Sequence, residues 1–368
     1  MTLRVLALMG TGLVDPDAPI LTADDLGVLR GDGIFETLLV RGGQPWLPDE
    51  HLERLTRSAA RLQLDLPPIG AWHDLMRLAL SAWDPQREGA LKLVCTRGRD
   101  ITGRPTAYGY LTEVGPQTLH QREHGITAVT ATLGVSSAVR AESPWLLGGV
   151  KTLSYAVNMA AGRQARSQGA DEMIWTSTDG QVLEAPTATV VWAAGDVLAT
   201  VPVETGILAG TTVGRLLAGA ASQGLRAEVR PATVADLHAA DGLWLVSSVR
   251  TAAAVRMLDG QPRGDGGLTG RVVAALGLPP APAPAPRPPG GQYPPGAQPY
   301  PSGAQQYPPG AQQYPPQGLP APGYPGQPYP PQGYPGQQYP PQNYPPQPGP
   351  GAPPVDPYGP QQPGGWPH

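Results

Sequence analysis

Gly148-Gly-Val-Lys-Thr-Leu-Ser-Tyr155 sets one lysine, Lys151, behind a glycine pair and a valine and ahead of a threonine, a leucine and a tyrosine. An amine approached by apolar, glycine-rich chain is poorly solvated, so it is partly deprotonated at neutral pH and nucleophilic. Such a lysine can condense with a carbonyl. Taken alone, a lysine of this kind is more often a surface residue whose stem lies along apolar neighbours. Its meaning therefore depends on what the rest of the chain carries.

Four further segments carry chemistry that suits a nucleophilic lysine. Glu184 stands in Asp179-Gly-Gln-Val-Leu-Glu-Ala-Pro186, a turn and short strand that deliver a carboxylate just ahead of an apolar strand. A carboxylate beside a pyridine nitrogen keeps it protonated and makes the ring an electron sink. Gly206-Ile-Leu-Ala-Gly-Thr-Thr212 precedes an apolar-periodic helix, so the amides of Thr211 and Thr212 point from a helix N terminus toward any anion there. Arg54 supplies a guanidinium for the same anion, and Ser247 and Ser248 end a strand where a hydroxyl and an amide complete the cup. Each signal is weak by itself: Gly-Thr-Thr before a helix is also ordinary capping, and Glu184 reads equally as a solvated strand end.

The pattern of the chain is mixed. Residues 33–40 read as a strand, Gly42-Gly43 as a turn, and residues 49–64 as an amphipathic helix with Leu52, Leu55, Ala59 and Leu62 on one side and His51, Arg54 and Ser58 on the other. Asp49 is placed to cap that helix. A second helix is expected over Trp72–Trp83, then strands over Leu91–Thr96 and Tyr108–Val114. Residues 116–124 have little periodicity and read as a connector. Beyond it the spacing predicts strands near 126–133, 172–176, 188–194, 197–201 and 243–247, with helices over 154–168 and 211–223. The order is α+β, with an N-terminal α/β domain over 1–118 and a larger barrel-like domain over 119–278.

From Pro279 onward the 368-residue chain becomes almost entirely Pro, Gly, Gln, Tyr and Ala, with no charge between Arg287 and Asp356. Repeats of Tyr-Pro-Pro-Gly-Ala-Gln-Gln and Tyr-Pro-Pro-Gln favour polyproline II and extended coil, so residues 279–368 are expected to be disordered, and the sequence names no partner for them. A formal net charge of -4 argues against an extended phosphate-binding surface and hence against nucleic acid. The single cysteine, Cys95, lies in an apolar run and reads as a buried inert thiol, which excludes an intramolecular disulfide and suits a cytoplasmic protein. No run approaches membrane-spanning length, and the six histidines have no spacing that suggests a metal site.

Together these segments resemble, in order as well as in motif, the fold-type IV pyridoxal-phosphate (PLP) enzymes of the class IV aminotransferase family across residues 20 to 260. Arg30-Gly-Asp-Gly-Ile-Phe-Glu-Thr37 resembles the opening strand, His51-Leu-Glu-Arg-Leu55 the helix whose arginine holds the cofactor phosphate, and Lys92-Leu-Val-Cys-Thr-Arg-Gly98 the strand bordering the substrate carboxylate. Lys151-Thr-Leu-Ser-Tyr155 resembles the Schiff-base segment, and Val246-Ser-Ser-Val-Arg250 the closing one. The resemblance implies Lys151 as the catalytic lysine. It implies cofactor contacts from Arg54, Tyr155, Glu184, Thr211, Thr212 and Ser248, and substrate contacts from Arg97 and Thr37. It also implies a homodimer with the site in the cleft between the two domains. Departures are Thr189 and Ser154 where members usually carry Asn, and an alanine run where Pro-Val is usual after Arg250. Phe35-Glu-Thr37 is more similar to the lyase and D-amino-acid branch than to the branched-chain aminotransferases, so the expected activity is aminodeoxychorismate lyase, which releases 4-aminobenzoate and pyruvate. The alternative is an aminotransferase for D- or branched-chain amino acids with 2-oxoglutarate. A catalytically degenerate scaffold for the tail would not need Lys151, Glu184 and Arg54 together.

Overall fold

The computed structural model of the chain describes residues 3–101 and 103–281. From the N terminus run strands β1 (Arg4–Leu8) and β2 (Gly12–Val14), helix α1 (Leu26–Arg30), strands β3 (Gly33–Arg41) and β4 (Gln44–Pro45), helices α2 (Pro48–Leu62) and α3 (Ile69–Ser81), and strands β5 (Gly89–Thr96) and β6 (Thr106–Glu113). The six strands form one antiparallel sheet in the order β2-β1-β6-β5-β3-β4.

Alternation along these strands decides which face does what, because successive side chains point to opposite sides of a sheet. Ile34, Leu38 and Val40 of β3 and Leu91, Leu93 and Cys95 of β5 pack with Leu52 and Leu55 of α2 and with Trp72 and Leu75 of α3 in one core cluster. Each such fully buried aliphatic side chain contributes about 1.5–3 kcal/mol before the entropy of ordering is counted. The intervening residues Phe35, Thr37, Ala90, Lys92, Tyr110 and Thr112 face away from the helices and line a cavity. Register brings Thr37 opposite Lys92 and Lys92 opposite Tyr110, so the three stand in a row across the sheet.

Helix α2 departs from the sequence reading at its start. Leu47, at φ 57°, is the residue before the helix, and Pro48 rather than a capped residue opens it, since a proline needs no amide partner there. Asp49 sits inside the first turn, where its charge still favours the positive end of the helix. Its polar stripe of His51, Arg54 and Ser58 is as buried as its apolar one. A surface helix exposes that side; this one turns it toward the second half of the protein.

The second half runs through helix α4 (Pro116–His124), strand β7 (Ile126–Thr132), helices α5 (Val139–Glu142) and α6 (Ala156–Ser167), strands β8 (Glu172–Thr176), β9 (Thr189–Ala194) and β10 (Val197–Thr200), helix α7 (Thr211–Gly219), strand β11 (Arg226–Val229), helix α8 (Val234–Ala239), strands β12 (Gly242–Ser247), β13 (Thr251–Leu258) and β14 (Gln261–Pro262), and helix α9 (Thr269–Ala275). Its sheet has the order β11-β10-β9-β12-β13-β7-β8, with β14 paired to β13. The whole is an α+β fold. Residues 116–124, expected to be a connector, are helical instead. Pro116 opens that helix, Gly125 at φ 82° closes it, and because Gln121 is its one buried residue it leaves no apolar period to read. The helix expected over 211–223 ends at Gly219 and gives way to a 3-10 turn over Ala220–Gln223. The alanine run after Arg250 is the strand β13, buried from Thr251 to Val255 at the middle of the sheet. Of the tail expected to be disordered, all but its first three residues lie outside the described residues. No helix among the described residues is long and apolar enough to cross a membrane.

Candidate active site

Between the two sheets lies a cavity of about 740 Å³, and Lys151, Arg54, Tyr155, Glu184, Thr211, Thr212, Ser248 and Thr37 all line it. The chain segment that brings Lys151 there is tied to the opening of β3: the Phe35 amide donates to the Lys151 carbonyl at 3.0 Å, and the Leu153 amide to the Gly33 carbonyl at 2.8 Å. The Lys151 amide donates to the Ser58 hydroxyl of α2 at 3.3 Å. Lys151 therefore emerges from a fixed backbone. Its Nζ stands 4.5 Å from the centroid of the Phe35 ring, which packs edge-on against Tyr155 at 5.3 Å and 84°. Burial pushes the Lys151 amine down to about 8, helped by the positive Arg54 and opposed by Glu36 and Glu184. A useful fraction is thus the free base near neutral pH.

Glu184 faces this amine from the strand-and-turn segment before β9. Its Oε1 accepts from Arg140 Nη1 at 3.1 Å and its Oε2 from the Leu208 amide at 3.0 Å, so both oxygens are held as acceptors. Tyr155 donates its hydroxyl to the Pro186 carbonyl at 2.9 Å, and burial pushes its phenol up to about 12. The hydroxyl stays protonated.

A buried charge cluster positions an anion cup beside these groups, since Arg54 bonds Ala209 and Glu184 bonds the neighbouring Leu208. Glu36, on the helix-facing side of β3, accepts from Arg54 Nε and Nη2 at 2.8 Å each and from His51 Nδ1 at 2.7 Å. Burial by itself would raise the Glu36 carboxyl, but Arg54 and then His51 outweigh it and hold it at about 2. Burial also lowers the His51 imidazole, with Glu36 opposing. Accepting at Nδ1–H, Glu36 leaves Nε2 as the acceptor of a neutral ring, and the hydroxyls of Thr211 and Ser248 each stand 3.3 Å from it. The Ser248 hydroxyl also accepts from the Leu39 amide at 3.2 Å. Arg54 Nη1 donates to the Ala209 carbonyl at 3.0 Å. Three of the five guanidinium N–H groups are so engaged, and two remain for a ligand. No side chain caps α7, which leaves its first-turn amides to an anion. Thr212 is buried beside them.

This donor set fits PLP. Arg54, the α7 amides and the Thr211 and Ser248 hydroxyls suit a phosphate, Glu184 a ring nitrogen, and Lys151 a carbonyl carbon.

Arg97 is the expected site residue that the structure does not bring to the cavity. Its Nε and Nη2 meet Asp32 at 2.7 and 3.1 Å, and its Nη1 and Nη2 donate to the carbonyls of Gln63 and Leu62 at 3.0 and 2.8 Å. It ties the end of α2 to the entrance of β3, because a strand-end arginine beside a free helix C terminus finds carbonyls to satisfy. Sequence reasoning missed Glu36, Arg140, Lys92 and Arg250 as contributors. For Glu36 there was a signal: an acid at an inward position of an otherwise apolar strand is buried and needs partners. Cys95 is buried as expected, and that burial pushes its thiol up to about 12.

Residues 33–258 match the family described as Amino-transferase class IV. The chain belongs to that family. It is a fold-type IV PLP-dependent enzyme of the lyase and aminotransferase class. A bifunctional aminodeoxychorismate lyase / D-amino acid transaminase of Mycobacterium tuberculosis is 43% identical over 68% of this chain and 89% of its own. A D-alanine aminotransferase of Bacillus licheniformis is 29% identical over 69% of this chain and 89% of its own. Among solved structures, a hypothetical aminotransferase from Mycobacterium tuberculosis, with alpha-ketoglutarate and PMP bound, superposes with a TM-score of 0.72 at 39% identity, covering 74% of this chain and 97% of that one. The class IV resemblance read from the motifs is therefore the family to which residues 33–258 assign the chain.

Proposed function

We propose that this class IV enzyme transfers an amino group between a D-amino acid and a 2-oxo acid, using PLP. The observation that carries the reading is the Lys151 side chain lining one cavity together with a held carboxylate, Glu184, and a cup for a phosphate. When bound, PLP supplies an electron sink for the pair left on the substrate's alpha carbon. Arg54, the α7 amides, Thr211 and Ser248 fix the phosphate end and so the position of everything attached to it. Glu184, held by Arg140 and the Leu208 amide, keeps a negative charge where a ring nitrogen binds its proton. Lys151 Nζ would remove the alpha proton, and an amine with a pKa near 8 would then release it to the cofactor carbon that receives the amino group, not to the alpha carbon it left. Phe35 and Tyr155 pack around that amine.

The similarity of the Mycobacterium tuberculosis bifunctional enzyme, together with Phe35-Glu-Thr37, favours a second reading on the same residues. There, proton removal is followed by loss of a beta substituent, and 4-amino-4-deoxychorismate gives 4-aminobenzoate and pyruvate. A homodimer is proposed with either reading. The test gives the PLP-loaded protein D-alanine with 2-oxoglutarate, L-leucine with 2-oxoglutarate, or 4-amino-4-deoxychorismate, with Lys151→Ala alongside. D-Glutamate formed only with Lys151 present supports the transaminase. Release of 4-aminobenzoate without any amino transfer moves the assignment to the lyase, and transfer from L-leucine alone refutes the D-amino-acid reading.

A further inference from the structure

Helix α4 packs on β13, yet it buries a single side chain, Gln121, and has no apolar side to account for its place there. What it brings to the second sheet is polar. Gln121 Oε1 accepts from Arg250 Nε at 3.2 Å, and Arg122 Nε donates to the Val249 carbonyl at 3.1 Å, joined at the same oxygen by Arg122 Nη2. Two consecutive residues of the helix thus hold two consecutive residues of the turn between β12 and β13. Arg122 Nη1 also meets Glu88 Oε2 at 2.6 Å, and Glu88 Oε1 meets Arg41 Nε at 2.7 Å. All three charged side chains are largely buried.

One carboxylate needs one cation, and Arg41 supplies it. The second arginine has no carboxylate of its own among the described residues, and burying a surplus charge is costly. Burial lowers the Arg41 guanidinium, Glu88 opposes that, and Arg122 lowers it further, so the two cations crowd each other. What sets Arg122 apart is the Val249 carbonyl; Arg41 Nη1 donates instead to the Pro279 carbonyl.

The turn that Arg122 holds is strained. Thr251, which leaves it, is buried at φ 60°, a conformation that a β-branched residue keeps only where its surroundings fix it. Ser248, which enters it, carries the hydroxyl that stands 3.3 Å from His51 Nε2 and accepts from the Leu39 amide. The Val249 carbonyl is one residue further on, so a swing of that peptide is passed to Ser248.

We propose that Arg122 is a positioning residue for the cofactor: it fixes the Val249 carbonyl and thereby keeps the Ser248 hydroxyl in the phosphate cup. This rests on Ser248 belonging to that cup, and not on which amino donor the enzyme takes. Loss of a charge-assisted hydrogen bond changes an equilibrium by about 10-fold or more, which sets the scale of the effect.

The test compares Arg122→Met with Arg41→Met. Each removes one arginine from Glu88 and leaves the other, but only the first frees the Val249 carbonyl. The PLP dissociation constant, read from absorbance as the loaded full-length protein is diluted, rises about 10-fold in Arg122→Met and stays within about threefold of wild type in Arg41→Met. The phosphorus NMR signal of bound PLP moves in the first variant only. Ser248→Ala raises the constant by about 10-fold, and adding Arg122→Met raises it no more than about threefold further, as for two residues that act through one contact. Equal effects of the two arginine variants, or an additive double variant, overturn the proposal. Should Arg122→Met not fold, Arg122→Lys is read by the same criteria, because it keeps a cation beside Glu88 and gives up the paired N–H donors. A Ser248→Ala protein that binds PLP as wild type does removes the cup reading itself, whereas a loss in Ser248→Ala with none in Arg122→Met removes the role of Arg122 alone.

Discussion

Glu36 is fully buried on the core side of β3, and what keeps it ionised there is Arg54 and His51 from α2. A buried carboxylate stripped of its charge leaves its partners unpaired, which costs about 3–5 kcal/mol. Glu36→Gln is expected to destabilise the fold by that amount at neutral pH and to weaken PLP binding by freeing Arg54 to move. The pH dependence has a definite sign. Folding depresses Glu36 from its ordinary 4.5 to about 2, so its contribution is fully present above 4.5 and fades as pH falls from there through 2. Urea unfolding across that range should show the wild type losing stability faster than Glu36→Gln. Parallel curves would mean that the cluster carries no such linkage. The residue types of this cluster were on the page in the sequence. Their pairing was not, because Glu36 and Arg54 are joined only when α2 folds its polar side onto β3.

The contact of α7 with α9 fixes the direction in which α7 offers its N terminus to the cavity. It depends on Gly219, whose added Cβ would run into the carbonyl of Ala275. Gly219→Ala is expected to cost about 1–3 kcal/mol, as overpacking of a close approach does. A fall in the thermal midpoint with a PLP affinity also reduced would show that the α9 contact holds the phosphate cup. An unchanged midpoint would show that the approach is not tight. Elements with one strongly apolar side, such as α2, α3 and β3, were legible from the sequence, and so were most strands of both sheets. Helix α4 was not, since it buries one side chain. Neither was β13, whose alanines carry little strand preference and are buried by neighbours on both sides of the sheet.

Among the described residues, the buried apolar side chains run from Val5 to Leu276. Among the described residues of the Pro-rich segment, the Pro279 carbonyl accepts from Arg41 Nη1 at 3.3 Å. A chain ending at Ala281 is therefore expected to keep the thermal midpoint and the kcat of the full chain; a drop in either would assign residues 282–368 a part in stability or turnover. By itself the sequence determined the family, the identity of the lysine and the order of the segments that surround it. Those are properties of local residue type and spacing, which survive as short motifs. Only the tertiary structure decided that Arg97 is spent on Asp32 and helix carbonyls, that Arg140 steadies Glu184, and that Lys92 has no acid to pair with among the described residues. These outcomes depend on which side chains from distant segments reach one another first, and a charge commits to whichever partner the fold brings within hydrogen-bonding distance.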